Sequence, residues 1–240
     1  MKNLMIAAMV AAAGSTTAQI VNYSQDFEGL VQTDAQALEN DGWLVGANVF
    51  EPDGTTFLYN YFAFVAPNGG PAFSAVASGE GGPAQGAQQL SVYNDYNNAD
   101  HNLGRVIEAN VFREVAIDAS NVGQTIEFSF DAKLGNITEA PASTASAFIK
   151  TIDPANGFAT TNFLRIDDDQ FSTLWSSHSI SLNINAGLVG QLFQIGFLNT
   201  ATSFESSGVF YDNINVAVPA PASAALLGLG GLVAARRRRA

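Results

Sequence analysis

The chain has 240 residues, of which 47% are hydrophobic and only 13% charged, and it carries no cysteine. Disulfides, thiolate metal sites and cysteine nucleophiles are thereby excluded, and the hydrophobic content suits a packed globular protein rather than a disordered one. The formal charge is −12, yet all 22 carboxylates lie between Asp26 and Asp212, opposed there only by Arg105, Arg113, Lys133, Lys150 and Arg165. The resulting −17 on that stretch repels nucleic acid and anionic lipid.

In chain order, Met1-Lys2-Asn3 is a short positive segment, Leu4 to Ala13 an apolar run, and Gly14 to Ala18 a string of small residues. That order predicts a secretory signal peptide over residues 1–18, cut by signal peptidase between Ala18 and Gln19; a buried N-terminal helix is the alternative.

Residues 19–217 contain short alternating segments separated by turn residues and no long amphipathic helix. Gln124 to Lys133 is the clearest strand, with Ile126, Phe128 and Phe130 on one face. Val106 to Ile117 alternates likewise, interrupted by Arg113. Further strands are expected near 21–27, 43–50, 57–65, 89–93, 145–152, 174–184, 192–198 and 208–216, with a loop at the Gly-rich stretch 79–86. About ten such strands predict an all-β fold, a two-sheet antiparallel β-sandwich.

Four stretches, Asp26-Phe27-Glu28-Gly29, Gly86 to Val92, Phe128 to Lys133 and Phe210 to Ile214, resemble strands of galactose-binding-like jelly rolls, a group that includes many carbohydrate-binding modules. The resemblance implies a structural Ca²⁺ between Glu28 of the opening strand and Asp212 of the closing one, helped by loop carbonyls. Asp212 shares strand parity with Phe210, Ile214 and Val216 and should point inward. A buried carboxylate then needs a cation or donated hydrogen bonds. Hard oxygen ligands suit Ca²⁺; a turn cap through backbone N–H groups is the other reading.

The polar loop Asp95 to Asn102 lacks the glycine and glutamate of an EF-hand, but Tyr96 could stack on a sugar with Asn97 and Asp100 bonding its hydroxyls; a plain solvated loop is the alternative. Asp167-Asp168-Asp169 reads as an exposed turn. His178 lies on strand parity with Ile180 and Leu182 and suits a hydrogen-bonded strand histidine. No nucleophile elbow, zinc-peptidase helix or phosphate loop occurs, and no carboxylate pair of a glycosidase can be picked from 22 acids.

The C-terminal tail, 218–240, runs from Pro219-Ala220-Pro221 through the apolar stretch Ala222 to Ala235 to Arg236, Arg237, Arg238 and Arg239. As a short hydrophobic helix that stretch is about 21 Å long, marginal for a membrane span, with the arginines held inside. The tail resembles PEP-CTERM sorting signals of exported Gram-negative proteins, in a variant with Ala220 where glutamate is usual. The resemblance implies transient membrane association, cleavage near the prolines by an exosortase-type enzyme, and a link to exopolysaccharide. An unprocessed single-pass anchor is the alternative. The expected function is therefore that of a non-enzymatic exported protein of the cell surface or extracellular matrix, binding polysaccharide. The rivals are a Ca²⁺-stabilised structural or adhesion protein without a sugar ligand and a secreted glycan hydrolase.

Overall fold

The computed structural model describes residues 20–62, 73–94, 99–137, 143–202 and 207–218. The expected signal segment and, beyond Val218, the expected sorting tail, with Ala18, Gln19, Pro219 to Pro221 and the four arginines, lie outside these residues. Among the described residues no helix is long and apolar enough to cross a membrane.

The described residues form twelve strands: β1 (Tyr23–Gln25), β2 (Leu44–Phe50), β3 (Phe57–Phe62), β4 (Ser74–Ser78), β5 (Gln88–Val92), β6 (Val106–Ala116), β7 (Thr125–Leu134), β8 (Ser143–Asp153), β9 (Ala159–Asp167), β10 (Ser176–Asn183), β11 (Leu192–Ala201) and β12 (Val209–Ala217). One sheet has the order β10-β7-β12-β5-β4, with β1 also on β12; the other runs β3-β2-β6-β11-β8-β9. Every pairing is antiparallel. The all-β sandwich read from the sequence is the fold.

Alternation explains the layering, because successive side chains of a strand face opposite sides. Ile126, Phe128, Phe130 and Ala132 of β7 are buried against Ala109 and Val111 of β6 and Phe193, Ile195 and Phe197 of β11, in one core between the sheets. Phe197 stacks on Tyr211 of the opposite sheet at 3.7 Å between ring centroids, and on Trp43 at 6.2 Å. Burying each such ring contributes roughly 2–3 kcal/mol. Arg113 occupies a core-facing position of β6 but ends at the rim, its guanidinium 3.7 Å over the Tyr23 ring and hydrogen-bonded to the Asp41 carbonyl.

Three local expectations are corrected. The sequence pattern did not mark β4 or β9: β4 is a run of small residues buried on both faces, and β9 is an edge strand half-exposed on both, so neither alternates cleanly. The first strand stops at Gln25 rather than reaching 27, because buried Phe27 takes a left-handed turn at φ 59°. In β12 the inward residue is Tyr211, opposite core-facing Ala132, while Phe210 and Asp212 lie opposite outward-facing Lys133 and Asp131. A bulge between Asp212 and Asn215, with Asn213 at φ 47°, restores Ile214 and Val216 to the core.

Candidate functional site

Asp212 is buried, as expected, but on the outer face of its sheet and under a loop. The topology opens the position: β5 pairs with β12 over Val209–Tyr211 and β1 over Ile214–Val216, so Asp212 falls where one neighbour gives way to the next. Two segments fill that gap. From β1 the chain turns at Phe27 and brings in Glu28, whose Oε1 accepts the N–H groups of Ala87 and Gln88 at 2.7 Å each. The Gly-rich loop before β5 closes over the top, tied down where Asp131 accepts from Gln85 and Asn213 and where Asn213 donates to the Ala84 carbonyl. Lys133 pairs with Glu80 at 2.8 Å, and the Trp175 indole donates to the Glu80 carbonyl. Gly86 sits at φ 58° against the Glu28 carboxylate, where a Cβ would collide.

The enclosure is rich in oxygen and short of donors. Asp212 Oδ1 accepts the N–H of Asn213 at 2.6 Å, which is the turn cap, but Oδ2 is buried with no partner. Gln89, one residue beyond the last β5–β12 pair and thus beside Asp212, is fully buried with Oε1 equally unpartnered. The carbonyls of Phe27, Glu28 and Leu30 converge within 3.1 Å of the Gln88 amide nitrogen. Burial, reinforced by Glu28, Asp131 and Asp26, pushes the Asp212 carboxyl up to about 7. Asp131 moves the other way: hydrogen bonds from Asn213, Ser177 and Gln85 outweigh its burial. Among the described residues no three acidic or histidine side chains gather closely enough to hold a metal unaided. Any ion here would draw on Glu28, Asp212 and neutral oxygens such as Gln89 Oε1, a set that suits Ca²⁺.

The outer face of the second sheet is built differently. A second apolar cluster, Phe112, Phe148 and Leu198 flanked by Leu44 and Phe163, lies across β2, β6, β11, β8 and β9. At one end of these strands a cleft of about 380 Å³ opens. Its walls include Phe50, Glu108, Thr144, Thr200 and Arg165, and also Asp167 to Asp169. Glu108 accepts from Asn48 and Asn110, and Asp167 accepts from Ser146 and pairs with Arg165 at 3.0 Å. The three aspartates, in and beside a short 3-10 turn with Asp169 exposed, form the expected turn and also line the cleft. Burial, with the like charges of Asp167 and Asp169 on either side, raises the Asp168 carboxyl.

Of the loop residues expected to bind sugar, Tyr96 and Asn97 lie outside the described residues. Asp100 is buried, accepts from the Tyr59 hydroxyl at 2.5 Å and pairs with Arg105 at 2.7 Å, so it anchors its loop to β3. His178 stacks on Phe130 and shares a hydrogen bond with Ser176, as a strand histidine should. Sequence reading missed Gln89, Phe50 and Glu108. Gln89 carried one usable signal, a polar residue on the outer parity of a strand under a glycine-rich loop. The cleft residues carried none, because they come from strands far apart in sequence.

No family model and no curated protein matches the chain. Solved structures similar to it include a Stig cyclase from Fischerella sp. TAU, 13% identical over 81% of this chain and 93% of that one, TM-score 0.44. Another is the enzymatically active domain of bacteriophage CBA120 tailspike protein 4, 11% identical over 79% of this chain, TM-score 0.43; the chain spans about a fifth of its length, 21%. A third is the CBM22-1 xylan-binding domain from Paenibacillus barcinonensis, 10% identical over 60% of this chain and 80% of that domain, TM-score 0.36. At this level they assign neither family nor ligand.

Proposed function

We propose that the chain is an exported glycan-binding β-sandwich whose loop-covered oxygen cluster takes a structural Ca²⁺. One observation carries the binding reading: a cleft lined from five strands brings hydroxyls of Thr144, Ser146 and Thr200 together with carboxylates and the Arg165 guanidinium. Sugar hydroxyls pair with hydroxyl, carboxylate and guanidinium groups, and this wall supplies all three. Binding is favoured over hydrolysis. Glu108 on β6 and Asp167 on β9 line the cleft from strands that have β11 and β8 between them. Both are already hydrogen-bonded.

The export half of the proposal rests on the ends of the sequence: the signal-like segment ending at Ala18 and the Pro-Ala-Pro, apolar and arginine tail. Signal peptidase and an exosortase-type enzyme would process them, leaving the acidic domain at the cell envelope or outside it. Mass spectrometry of cell-associated and released protein tests this, and a released form still carrying Arg236 to Arg239 would overturn the sorting step. For the cleft, a glycan array followed by calorimetry is the test. We expect a bound oligosaccharide whose affinity falls about tenfold in Arg165→Ala, the loss of one charge-assisted hydrogen bond from an exposed residue of the cleft wall. No binding to any glycan, with the fold intact, would overturn the glycan reading.

A further inference from the structure

The cleft on the second sheet is lined by four carboxylates, Glu108 and Asp167 to Asp169, against one cation, Arg165. In three of these acids the fold engages one oxygen and leaves the other. Glu108 accepts the Asn48 and Asn110 amides on Oε1, at 3.0 and 3.1 Å. Asp167 takes the Ser146 hydroxyl and the Arg165 guanidinium on Oδ1, and Asp169 takes the Gln170 amide on Oδ1. Among the described residues Glu108 Oε2, Asp167 Oδ2 and Asp169 Oδ2 accept no hydrogen bond. They are open to solvent: neither Glu108 Oε2 nor Asp167 Oδ2 is a buried orphan, and Asp169 is exposed. The wall thus holds its acids in place through one oxygen and keeps the second to spare. Burial and the flanking aspartates raise the Asp168 carboxyl, the response of an acid short of nearby positive charge.

We propose that the cleft takes a glycan bearing protonated amines, an amino-sugar polysaccharide, whose ammonium groups are received by the spare oxygens of Glu108, Asp167 and Asp169. This rests on the glycan reading above and narrows it. An ammonium has three donors and no acceptor, so it fits a wall whose uncommitted atoms are acceptors, and its bonds to carboxylate are the strong, charge-assisted kind. The −17 on the central stretch works in the same direction, drawing cationic chains in and repelling acidic ones. A lone metal ion fits less well, because among the described residues no three acidic or histidine side chains gather closely enough to hold one. Charges that repeat along a polymer suit acids supplied by β6 and, beyond β11 and β8, by β9 and the turn after it. The Thr144 and Thr200 hydroxyls of the same wall serve sugar hydroxyls, which a lysine side chain does not offer.

The test compares glucosamine tetrasaccharides of different linkage with their N-acetylated counterparts, which differ only at the amine, and adds neutral oligosaccharides and tetralysine. Calorimetry on the purified chain at pH 6 meets protonated sugar amines with ionised ordinary carboxylates. One free-amine tetrasaccharide should bind about tenfold tighter than its N-acetyl form, the worth of one hydrogen bond to a charged group. The gap should close to about threefold or less when Glu108→Gln and Asp169→Asn are combined. Both substitutions keep the side-chain shape, and thermal melting confirms the fold. Asp169→Asn alone, at an exposed position, should narrow the gap as well and stands in if the pair does not fold. Equal affinity for amine and N-acetyl forms, or a gap that persists in the variants, overturns the assignment. So does tetralysine binding as tightly as the amino sugar, which would make the cleft a receptor for basic peptides. Binding to N-acetylated or neutral sugars alone overturns it while leaving the glycan reading standing; binding to no sugar of any kind removes both.

Discussion

The two outer faces of the sandwich have opposite deficits. On the β12 face, Asp212 Oδ2 and Gln89 Oε1 are buried acceptors without donors. On the β8 face, the ammonium of the nearly buried Lys150 rests against the Phe148 and Phe163 rings and is in no ion pair among the described residues. Each deficit costs stability as it stands, since an unpaired buried polar group forfeits its water without recovering a partner. A cation suits the first. The lesson is what surrounds each: the acceptors are sealed under a loop stitched by Glu28, Asp131 and Asn213, whereas the ammonium is packed against the aromatic rings of its own face. A polar, sealed site favours a permanent structural ion; an aromatic one offsets a buried charge only in part.

The largest effect should come from filling the sealed site. Calcium at a hundred times its dissociation constant adds about 2.7 kcal/mol, or roughly 5–10 °C in Tm for a domain of this size. Asp212→Asn should abolish the calcium-dependent shift while changing the metal-free Tm little. Calorimetric scans with and without chelator decide it, and identical Tm values would remove the ion. Gly86→Ala comes next. The new Cβ meets the Glu28 carboxylate in a left-handed backbone, so a loss of about 1–2 kcal/mol and a weaker calcium response are expected. At Lys150 the sign inverts: Lys150→Met should raise the Tm by a few degrees, about 1 kcal/mol, because an apolar side chain of similar volume replaces a buried charge that has no ion pair. A lower Tm would show that Lys150 is compensated already.

Legibility in the sequence followed the same division. β7 and β6 were readable because one face of each is core, and Phe128, Phe130 and Val111 repeat with period two. Glu28 and Asp212 stood out as acids flanking apolar strand residues. The burial of Asp212 was foreseen for the wrong reason, since parity through Phe210 and Ile214 ignores a bulge that only the pairing of β12 with both β1 and β5 creates. The cleft could not be read at all. Phe50, Glu108, Thr200 and Arg165 meet only after β2, β6, β11 and β9 are ordered in space, and no local pattern encodes that order. Lys150 illustrates the point: in the sequence it is one of five scattered cations, and only the ion pairs of the other four make it exceptional.

The pH response separates the two faces without a mutation, and it is the smallest and most specific of the expected effects. In the metal-free protein the Asp212 carboxyl titrates near 7, above its unfolded value of about 4. Between those values the folded state holds a proton that the unfolded chain has released. Its contribution to stability is therefore fully present below about pH 4 and fades as pH rises toward 7. Calcium competes with that proton for the same oxygen, so the calcium-induced rise in Tm should grow from pH 5 to pH 8 as the metal-free baseline declines. Lys150 acts in the opposite sense: burial lowers its amine pKa, so its folded state binds fewer protons than the unfolded chain and its contribution to stability rises with pH up to the ordinary lysine range. Melting curves from pH 4 to 8, with chelator and with calcium, should thus diverge steadily upward in pH, and Asp212→Asn should make the two sets parallel. Curves that stay parallel in the unmodified chain would mean that Asp212 keeps its proton in both conditions, and the acceptor-rich enclosure would then be a hydrogen-bonded plug and not a cation site.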